Sequence, residues 1–589
     1  MTNKGVRMGK TVLALFCAVA ASAVLAAGPA QPVWPLVTVR HTSAVNGDVG
    51  TISEIAAIHA RHPGSCDEFW FATGARKTIA DVEKTCGDMA VFREACDKAG
   101  ILLSFQQGLT LGHSAAHDGN PAPGDYQFPD DAWQRGRDGE RMGILCPRAP
   151  AVLEYEREFA KTVIRVLKPA SFWLDDDLRL GIHKPDGCFC DRCIAAFNAK
   201  TGGGWTRETL VKALYSGNIR EKVRAEWSAF NAESLAVYAT AVRAAADELG
   251  SDCRLAYQSV WADSLYTAPG YGALLETLAG GRPGMTGIRP GAGFYTEAEP
   301  RGMVKKCLSV AREAERCRSI PAVGCVRYEE ETYPRRVLHK SPGAIAVECA
   351  LALASGCDSL SLYFYAKQNP EPMEEYERFA ATIARARPYF ERLAASTRRT
   401  RLGGVARYTG SAAGELKDFS LKDDADFDLA CAGIPVTVAE SGVKVWYLTE
   451  KSKAALTDAD KPILASGAVV DIGGMGKYPL ASRRTKLLDD LDKATDGAFP
   501  VRVDEVRPLR ILPRVRAGGS LDSVTLLNLS VGETGEIAVR LRNPAGERAV
   551  LCDAQGVVTP LELAPGAQPN ERVAKVNLSA WRIATIFFE

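Results

Sequence analysis

The chain has 589 residues, which is too long for a single hydrophobic core, so more than one domain is expected. Its 72 basic and 71 acidic residues leave a net charge of +1, which lacks the basic field that binding to nucleic acid or anionic lipid requires. The hydrophobic fraction of 46% is ordinary for a globular protein. Composition therefore disfavours nucleic-acid and membrane-surface partners without indicating an activity.

The N-terminus is typical of an export signal. Arg7 and Lys10 supply positive charge, Thr11–Leu25 is apolar and rich in small residues, and Ala26–Gly28 offers a cleavage site. We predict a cleaved signal peptide over residues 1–27 and a secreted or periplasmic mature chain without a membrane span. An uncleaved anchor is the alternative, although the apolar run is shorter than the ~20 residues that a span needs.

Short β-rich runs alternate with helical segments between residues 35 and 395. Eight such units predict a (β/α)8 TIM barrel with insertions. A doubly wound sheet is the alternative, but no glycine-rich phosphate loop follows the first strand. The predicted strands are Leu36–Val39, Glu68–Ala72, Ile101–Gln106, Ala170–Leu174, Arg254–Ser259, Thr286–Arg289, Ala322–Tyr328 and Ser359–Tyr363.

Two smaller domains are predicted after the barrel. Strand-like segments such as Asp426–Ala432 and Val443–Leu448, with helical links, indicate a small α/β domain over residues 396–505. Short alternating strands such as Ser523–Leu529, separated by turn residues, predict a C-terminal β-sandwich over residues 506–589.

Three consecutive aspartates, Asp175 to Asp177, follow predicted strand four. Their mutual repulsion should raise at least one pKa, which suits a general acid, unless solvent, a metal or donors such as Arg179 compensate. Alternation places Asp175 and Asp177 on one face and Asp176 on the other, if the strand continues that far. A solvated loop that caps a helix is the alternative interpretation.

A second acidic group, Glu329 to Glu331, follows predicted strand seven, and Glu329 and Glu331 share a face if that strand continues. In a barrel, the carboxyl ends of strands four and seven border the same pocket. Glycoside hydrolysis needs one carboxylic acid and one carboxylate, about 5–5.5 Å apart when configuration is retained. The pairing therefore favours catalysis on a carbohydrate over an exposed acidic loop.

Three cysteines, Cys188, Cys190 and Cys193, lie close together after strand four. Thiols at this spacing rarely form unstrained disulfides, whereas zinc binds four thiolates in a tetrahedron at about 2.3 Å. Cys146, shortly before the helix that leads into strand four, is the candidate fourth ligand. We predict a structural zinc site, with free or disulfide-paired cysteines as the alternative.

These motifs together resemble glycoside hydrolase family 42, mainly β-galactosidases within the large clan of retaining barrel enzymes. The resemblance lies in the acids after strand four, the Cys-x-Cys-x-x-Cys motif, the upstream Cys146–Pro147 and the Glu-x-x-Pro sequence Glu331–Pro334. Pro462–Ile472 resembles the amidotransferase-like trimerisation domain of that family. The resemblance implies a structural zinc on the four cysteines, Glu331 as nucleophile and a homotrimer.

The aspartate run departs from family 42, which has Asn–Glu at that place. Asp177, or else Asp176, would replace the acid/base glutamate, and the asparagine that holds the 2-hydroxyl of the sugar is missing. The resemblance thus implies an exo-acting, retaining β-glycosidase, most similar to a β-galactosidase, with other sugars left open. The remaining predicted substrate-binding residues are Asp175, Glu329, Trp173, Arg179, Trp261, Arg289 and Tyr295.

Two other classes of protein stay open at this point. A catalytically inactive glycan-binding barrel would keep the aromatic residues and the zinc, and the missing Asn–Glu pair supports it. A zinc hydrolase would need an open metal position with a histidine or carboxylate ligand, for which His183 is the candidate.

Overall fold

A computed structural model describes most of the chain. The predicted signal peptide, Trp261 and His183 lie outside the described residues. No helix within the described residues is both long and apolar enough to cross a bilayer. The described residues are 33–41, 48–73, 76–112, 124–180, 187–215, 222–259, 271–291, 293–365, 371–409, 424–439, 442–453, 456–473 and 479–589.

Eight parallel strands form a closed barrel, which confirms the predicted TIM barrel and rules out the doubly wound sheet. Each strand pairs with the next along the chain, and the last pairs with the first. The strands are β1 (Val37–His41), β2 (Glu68–Phe71), β3 (Leu102–Gln106), β4 (Ser171–Leu174), β5 (Arg254–Ser259), β6 (Thr286–Pro290), β7 (Val323–Glu331) and β8 (Ser359–Tyr363).

Helices surround the barrel, and several begin where the sequence favours it. Proline occupies the first turn of the helices that start at Pro150, Pro300 and Pro342, where its missing N–H costs no hydrogen bond. A hairpin of Trp133–Arg135 and Arg141–Leu145 precedes α4. The helices are α1 (Val49–Arg61), α2 (Ile79–Ala90), α3 (Phe92–Ala99), α4 (Pro150–Leu167), α5 (Asp191–Thr201), α6 (Arg207–Leu214), α7 (Lys222–Glu248), α8 (Gly272–Ala279), α9 (Pro300–Arg318), α10 (Pro342–Ser355) and α11 (Met373–Arg399).

The barrel interior is packed, as in other barrels of this size. Trp70 stacks against Trp173 with ring centroids 4.6 Å apart, and both rings are wholly buried. The guanidinium of Arg327 lies 5.0 Å from the ring of Trp173 and forms a fully buried ion pair with Glu68. The hydroxyl of Ser104 donates to the same glutamate at 2.6 Å, so this internal charge pair is compensated.

Three further sheets follow the barrel. A three-stranded parallel sheet contains β10 (Ala406–Arg407), β11 (Trp446–Leu448) and β12 (Val469–Asp471), accompanied by α12 (Ala425–Cys431), α13 (Glu450–Lys453), α14 (Lys461–Ala465) and α15 (Ala481–Ala494). An antiparallel six-stranded sheet contains β9 (Arg401–Leu402), β14 (Leu509–Val515), β15 (Leu521–Asn528), β17 (Ala549–Asp553), β18 (Val558–Leu561) and β21 (Ile583–Phe588). The last sheet contains β13 (Val501–Val503), β16 (Ile537–Arg542), β19 (Ala564–Pro565) and β20 (Glu571–Val576).

The structure corrects one predicted element in this region. Asp426–Ala432 was predicted as a strand, but the segment is helical and forms α12. Its buried residues include Asp426, Leu429 and Ala430, whose spacing of three and four residues is that of a helix face. The short strands β9 and β13, which lie between residues 396 and 505, pair with β14 and β16 of the C-terminal sheets.

Candidate active site

The carboxyl end of the barrel holds a glutamate between two arginines. Glu329 Oε1 lies 3.0 Å from Arg40 Nη1 and 2.9 Å from Arg289 Nη1. Burial opposes ionisation of Glu329, but Arg289 and then Arg40 outweigh it and hold the pKa of this carboxyl below its usual value. Glu329 is therefore an ionised carboxylate at the mouth of the barrel.

Strand β7 continues through all three glutamates. Glu329 and Glu331 consequently share its inner face, whereas Glu330 points to the helices and accepts a hydrogen bond from Lys340 Nζ at 2.8 Å. Arg335 Nη2 donates to Glu331 Oε1 at 2.7 Å. The side chain of Glu331 keeps 18% of its surface exposed against 10% for Glu329, so Glu331 is the more accessible of the two.

Strand β4 ends at Leu174, so the three aspartates occupy a turn and do not alternate as strand residues. Asp175 accepts hydrogen bonds from the backbone N–H groups of Leu109 and Asp176, at 3.1 and 2.9 Å. Burial, followed by repulsion from Asp176 and Asp177, raises the pKa of Asp175 to about 7. Its two oxygens hold the loops after β3 and β4 together.

Asp176 faces the arginine that also binds Glu329. Its Oδ2 lies 3.5 Å from Arg289 Nη2, and its side chain is 23% exposed. Burial raises the pKa of Asp176, Glu329 adds to this effect, and the attraction of Arg289 offsets it only in part. Asp176 and Glu329 thus contact the same guanidinium, but the pKa of Asp176 is raised and that of Glu329 is lowered. Two carboxyl groups whose pKa values are shifted apart in this way can serve as an acid and a base.

Asp177 is engaged elsewhere. Its Oδ1 lies 3.0 Å from Arg179 Nη2, and both side chains are less than 10% exposed. A buried carboxylate in an ion pair is poorly placed to protonate a leaving group. The geometry therefore favours Asp176 over Asp177 as the acid/base, and it leaves Arg179 as the partner of Asp177.

The two predicted aromatic residues that the structure describes, Trp173 and Tyr295, lie in different places. Trp173 is wholly buried in the barrel core, where its Nε1 donates to Ser171 Oγ at 2.9 Å, so it does not line the mouth. Tyr295 is 44% exposed at the rim. Trp261 lies outside the described residues.

Sequence analysis missed two inward-facing residues, one on β1 and one on β3. The polar residue that follows each of them points elsewhere, since the ring centroids of His41 and Phe69 lie 4.8 Å apart and Gln107 Nε2 donates to Glu156 at 2.8 Å. The residues that face the site are Arg40 and Gln106, joined by a hydrogen bond of 3.1 Å. The polar side chains Thr38 and Arg40, two residues apart in β1, are the signal that could have identified the inner face.

A glutamine on β5 and an arginine after β7 were also missed. Gln258 Oε1 accepts from Nε and Nη2 of Arg289, at 3.0 and 2.7 Å, and so fixes the direction of that guanidinium. Arg335 lies over the ring of Tyr363 at 4.0 Å in addition to its contact with Glu331. Neither residue belongs to a sequence motif, so only the fold assigns them to the site.

Four buried cysteines form a compact cluster that could hold a metal ion. The Sγ atoms of Cys146, Cys188, Cys190 and Cys193 all lie within 4.8 Å of one another, and none is in a disulfide. Cys146 Sγ lies 3.6 Å from that of Cys193, close to the ~3.8 Å edge of a tetrahedron with metal–sulfur bonds of ~2.3 Å. Within the described residues this donor set contains thiols alone, which fits a closed structural site better than a catalytic one.

The cysteine cluster joins two insertions of the barrel. Cys146 directly follows the hairpin strand Arg141–Leu145, and Cys190 precedes α5. The backbone N–H of Phe189 donates to the carbonyl of Arg135 at 2.9 Å, which ties the cysteine loop to the same hairpin. The cysteine loop is therefore joined to the hairpin region both by this hydrogen bond and by the cysteine cluster.

The fold and the site together define a (β/α)8 barrel with carboxyl groups at the carboxyl ends of its fourth and seventh strands, the face on which barrel enzymes carry out their chemistry. No protein-family model and no curated protein matches the chain. Among solved structures, α-L-fucosidase isoenzyme 2 from Paenibacillus thiaminolyticus is 13% identical and has a TM-score of 0.56, with 94% of this chain and 100% of that chain covered.

Two structures of Gan42B, a GH42 β-galactosidase from G. stearothermophilus, are about as similar to this chain as the fucosidase is. A catalytic mutant is 11% identical with a TM-score of 0.55, and the other structure is 11% identical with a TM-score of 0.54. Both alignments cover 94% of this chain and 98% of the other. At such low identity the likeness shows that the fold is shared along nearly the whole chain.

Proposed function

We propose that this protein is a retaining glycoside hydrolase with Glu331 as nucleophile and Asp176 as acid/base. The observation that carries the proposal is that Arg289 lies between carboxyl groups from both strand ends, with Nη2 3.5 Å from Asp176 Oδ2 and Nη1 2.9 Å from Glu329 Oε1. Burial raises the pKa of Tyr295, and the charges of Glu331, Glu329 and Asp176 raise it further. Hydrolysis of a glycoside by two carboxyl groups needs both of them to border one pocket, on either side of the glycosidic bond.

The raised pKa of Asp176 suits a group that is protonated when substrate binds. Asp176 would donate its proton to the glycosidic oxygen while Glu331 attacks the anomeric carbon, which releases the leaving group and forms a glycosyl ester. Asp176, now ionised, would take a proton from water as that water displaces Glu331 and restores the enzyme.

Glu331 is preferred to Glu329 as nucleophile on the grounds of its contacts. One oxygen of Glu329 accepts from two arginines, and this double pairing stabilises the ground state of the carboxylate. Glu331 has one arginine contact and the larger exposed fraction. In this assignment Glu329 orients Arg40 and Arg289, which remain to bind hydroxyl groups of the sugar.

The identity of the terminal sugar is left open between two candidates. The resemblance to family 42 favours an exo-acting enzyme on terminal β-galactosides, while the fold is shared with an α-L-fucosidase as well as with β-galactosidases. Both glycones therefore belong in the first panel. Export by the N-terminal signal, a homotrimeric assembly and zinc as the ion on the four cysteines are part of the same proposal.

Purified wild type, Glu331→Gln and Asp176→Asn should be compared on 4-nitrophenyl β-D-galactoside, β-D-glucoside, β-D-mannoside and α-L-fucoside. We expect wild type to cleave one of them and Glu331→Gln to lose at least about a thousandfold in kcat, because covalent catalysis is removed. Glu536→Gln, which alters an exposed carboxylate in the C-terminal region, is the matched control.

Unchanged turnover in Glu331→Gln would contradict the nucleophile assignment. If Glu329→Gln and Glu331→Gln lose activity equally, azide distinguishes them, because azide can replace a missing nucleophile. The assignment then requires that azide restores turnover in the Glu331 variant alone. Binding of sugars without any turnover would instead favour a glycan-binding barrel.

A further inference from the structure

Two tyrosines at the rim of the barrel present their rings to solvent. Tyr295, in the loop between β6 and α9, is 44% exposed, and Tyr333, directly after β7, is 57% exposed. Their ring centroids lie 6.0 Å apart at an interplanar angle of 64°, so the rings form one bent surface. Neighbouring exposed aromatic residues at the edge of a pocket are a common sign of a binding site.

This surface begins at the carboxyl groups and extends away from them. Burial raises the pKa of Tyr295, and the charges of Glu331, Glu329 and Asp176 raise it further. Arg335, which binds Glu331, also lies 5.2 Å from the ring centroid of Tyr333. A ligand that extends from Glu331 past Arg335 therefore meets the surface formed by Tyr333 and Tyr295.

Both rings are held in place. A Cβ at Gly293 would come within 2.8 Å of Cε2 of Tyr295, so the ring packs directly on glycine backbone. Arg335 is fixed by its 2.7 Å contact with Glu331 and by the ring of Tyr363, which gives Tyr333 a rigid neighbour. A preordered aromatic surface loses little conformational freedom when a ligand binds.

We propose that Tyr295 and Tyr333 form a leaving-group subsite that binds a sugar ring by stacking on its apolar face. The inference rests on the proposed function and narrows it: the substrate is an oligosaccharide, or another glycoside with a ring-shaped leaving group, and not a simple alkyl glycoside. Aromatic faces suit this role because they bury the C–H face of a sugar without competing for its hydroxyl groups.

The test compares two substrates that share one glycone. For the sugar selected by the nitrophenyl panel, kcat/KM is measured on its 1,4-linked disaccharide with glucose and on its methyl glycoside. Tyr333→Ala should lower the ratio of disaccharide to methyl-glycoside kcat/KM about tenfold, through lost stacking. Leu338→Ala, at a 95% exposed position on the same loop, should leave the ratio at the wild-type value.

A ratio that stays at the wild-type value in Tyr333→Ala, with wild-type turnover intact, overturns the subsite and leaves the proposed function standing. If wild type cleaves no glycoside, the proposed function fails separately. Calorimetric titration with lactose, cellobiose and mannobiose then decides the subsite: binding that Tyr333→Ala weakens about tenfold supports it, and absence of binding overturns it. Tyr295→Phe, which keeps the ring, should retain the disaccharide preference.

Discussion

Arg289 depends on a neighbouring glycine for its position between Asp176 and Glu329. A Cβ at Gly291 would lie 2.6 Å from Arg289 Nη1, 2.9 Å from the carbonyl of Ser259 and 3.1 Å from Glu329 Oε2. Cβ contacts as short as the first two essentially do not occur, so the guanidinium or the Ser259 carbonyl must move when a side chain is introduced. The absence of a side chain at residue 291 thus permits the charge arrangement of the site.

We therefore expect Gly291→Ala to reduce kcat by up to about a hundredfold, because a misplacement of about 1 Å in a catalytic constellation can have this size of effect. Steady-state kinetics on the panel substrate and thermal melting would be measured together. The control is Gly87→Ala, since residue 87 is exposed on α2 and a Cβ there meets nothing within 4 Å. That variant should keep full activity and gain roughly 0.5–1 kcal/mol in unfolding free energy.

Asp175 makes stability depend on pH. Its folded-state pKa of about 7 exceeds the ordinary value of 3.8, so the folded protein binds this proton more tightly than the unfolded chain does. The associated stabilisation is complete below pH ~4 and is lost as pH rises towards 7. We expect urea unfolding of Asp175→Asn to show a smaller loss of stability between pH 4 and 7 than wild type. An equal pH slope in the two proteins would contradict the assignment.

At the scale of elements, a buried charge network fixes the end of β7. Lys306 Nζ donates to the carbonyl of Glu329 at 2.6 Å, and Lys340 Nζ donates to that of Glu331 at 3.1 Å. Lys340 also pairs with Glu330 and Glu348, each at 2.8 Å, and the side chains of Lys340, Glu330 and Glu348 are 0% exposed. Helices α9 and α10 therefore position the strand that carries the two inward-facing glutamates.

Replacing Lys340 with methionine should leave Glu330 without its lysine and shift the carbonyl of Glu331. Breaking a buried ion pair costs about 3–5 kcal/mol, so we expect a loss of that order in unfolding free energy. The residual folded enzyme should also show a lower kcat at similar KM, because the nucleophile is displaced and the sugar contacts are kept. Lys575→Met, at an exposed ion pair, is the control and should change neither quantity.

The cysteine cluster predicts the effect of metal removal. If zinc bridges the loop after β4 and the hairpin before α4, its loss should lower the melting temperature, and activity should fall with unfolding and not before it. Cys190→Ser should abolish binding of zinc, counted by atomic absorption at one per chain in wild type. Cys552→Ser, in β17, should retain the metal. Loss of activity in a still folded, metal-free protein would instead favour a catalytic zinc.

For the whole molecule, one long helix connects the barrel with the C-terminal sheets. The hydroxyl of Tyr389 in α11 lies 2.7 Å from Thr585 Oγ1, and Ser396 Oγ donates to Asp522 at 2.7 Å. The predicted barrel ended at residue 395, within this helix, which continues to Arg399. The second half of this helix packs against the C-terminal sheets, so the barrel and those sheets share one element.

The sequence by itself determined the class of the fold and the cysteine cluster. The alternation of strand-like and helical segments is a local property of the sequence. A chain with eight such strand–helix units can adopt only a few architectures, of which the barrel is one. Cys188, Cys190 and Cys193 lie within six residues of one another, so their proximity needed no tertiary information. The shared face of Glu329 and Glu331 followed from alternation along one strand.

Only the tertiary structure decided which side chains meet. Arg40 and Glu329 are 289 residues apart, and Arg289 and Asp176 are 113 apart, so no local pattern relates them. Barrel strands are buried on both faces, so the sequence pattern does not reveal the inward side, and for this reason Arg40 was missed and Trp173 was expected to bind substrate. The roles of Asp175, Asp176 and Asp177 differ because each contacts a different partner, and the tertiary fold determines which partner lies next to each.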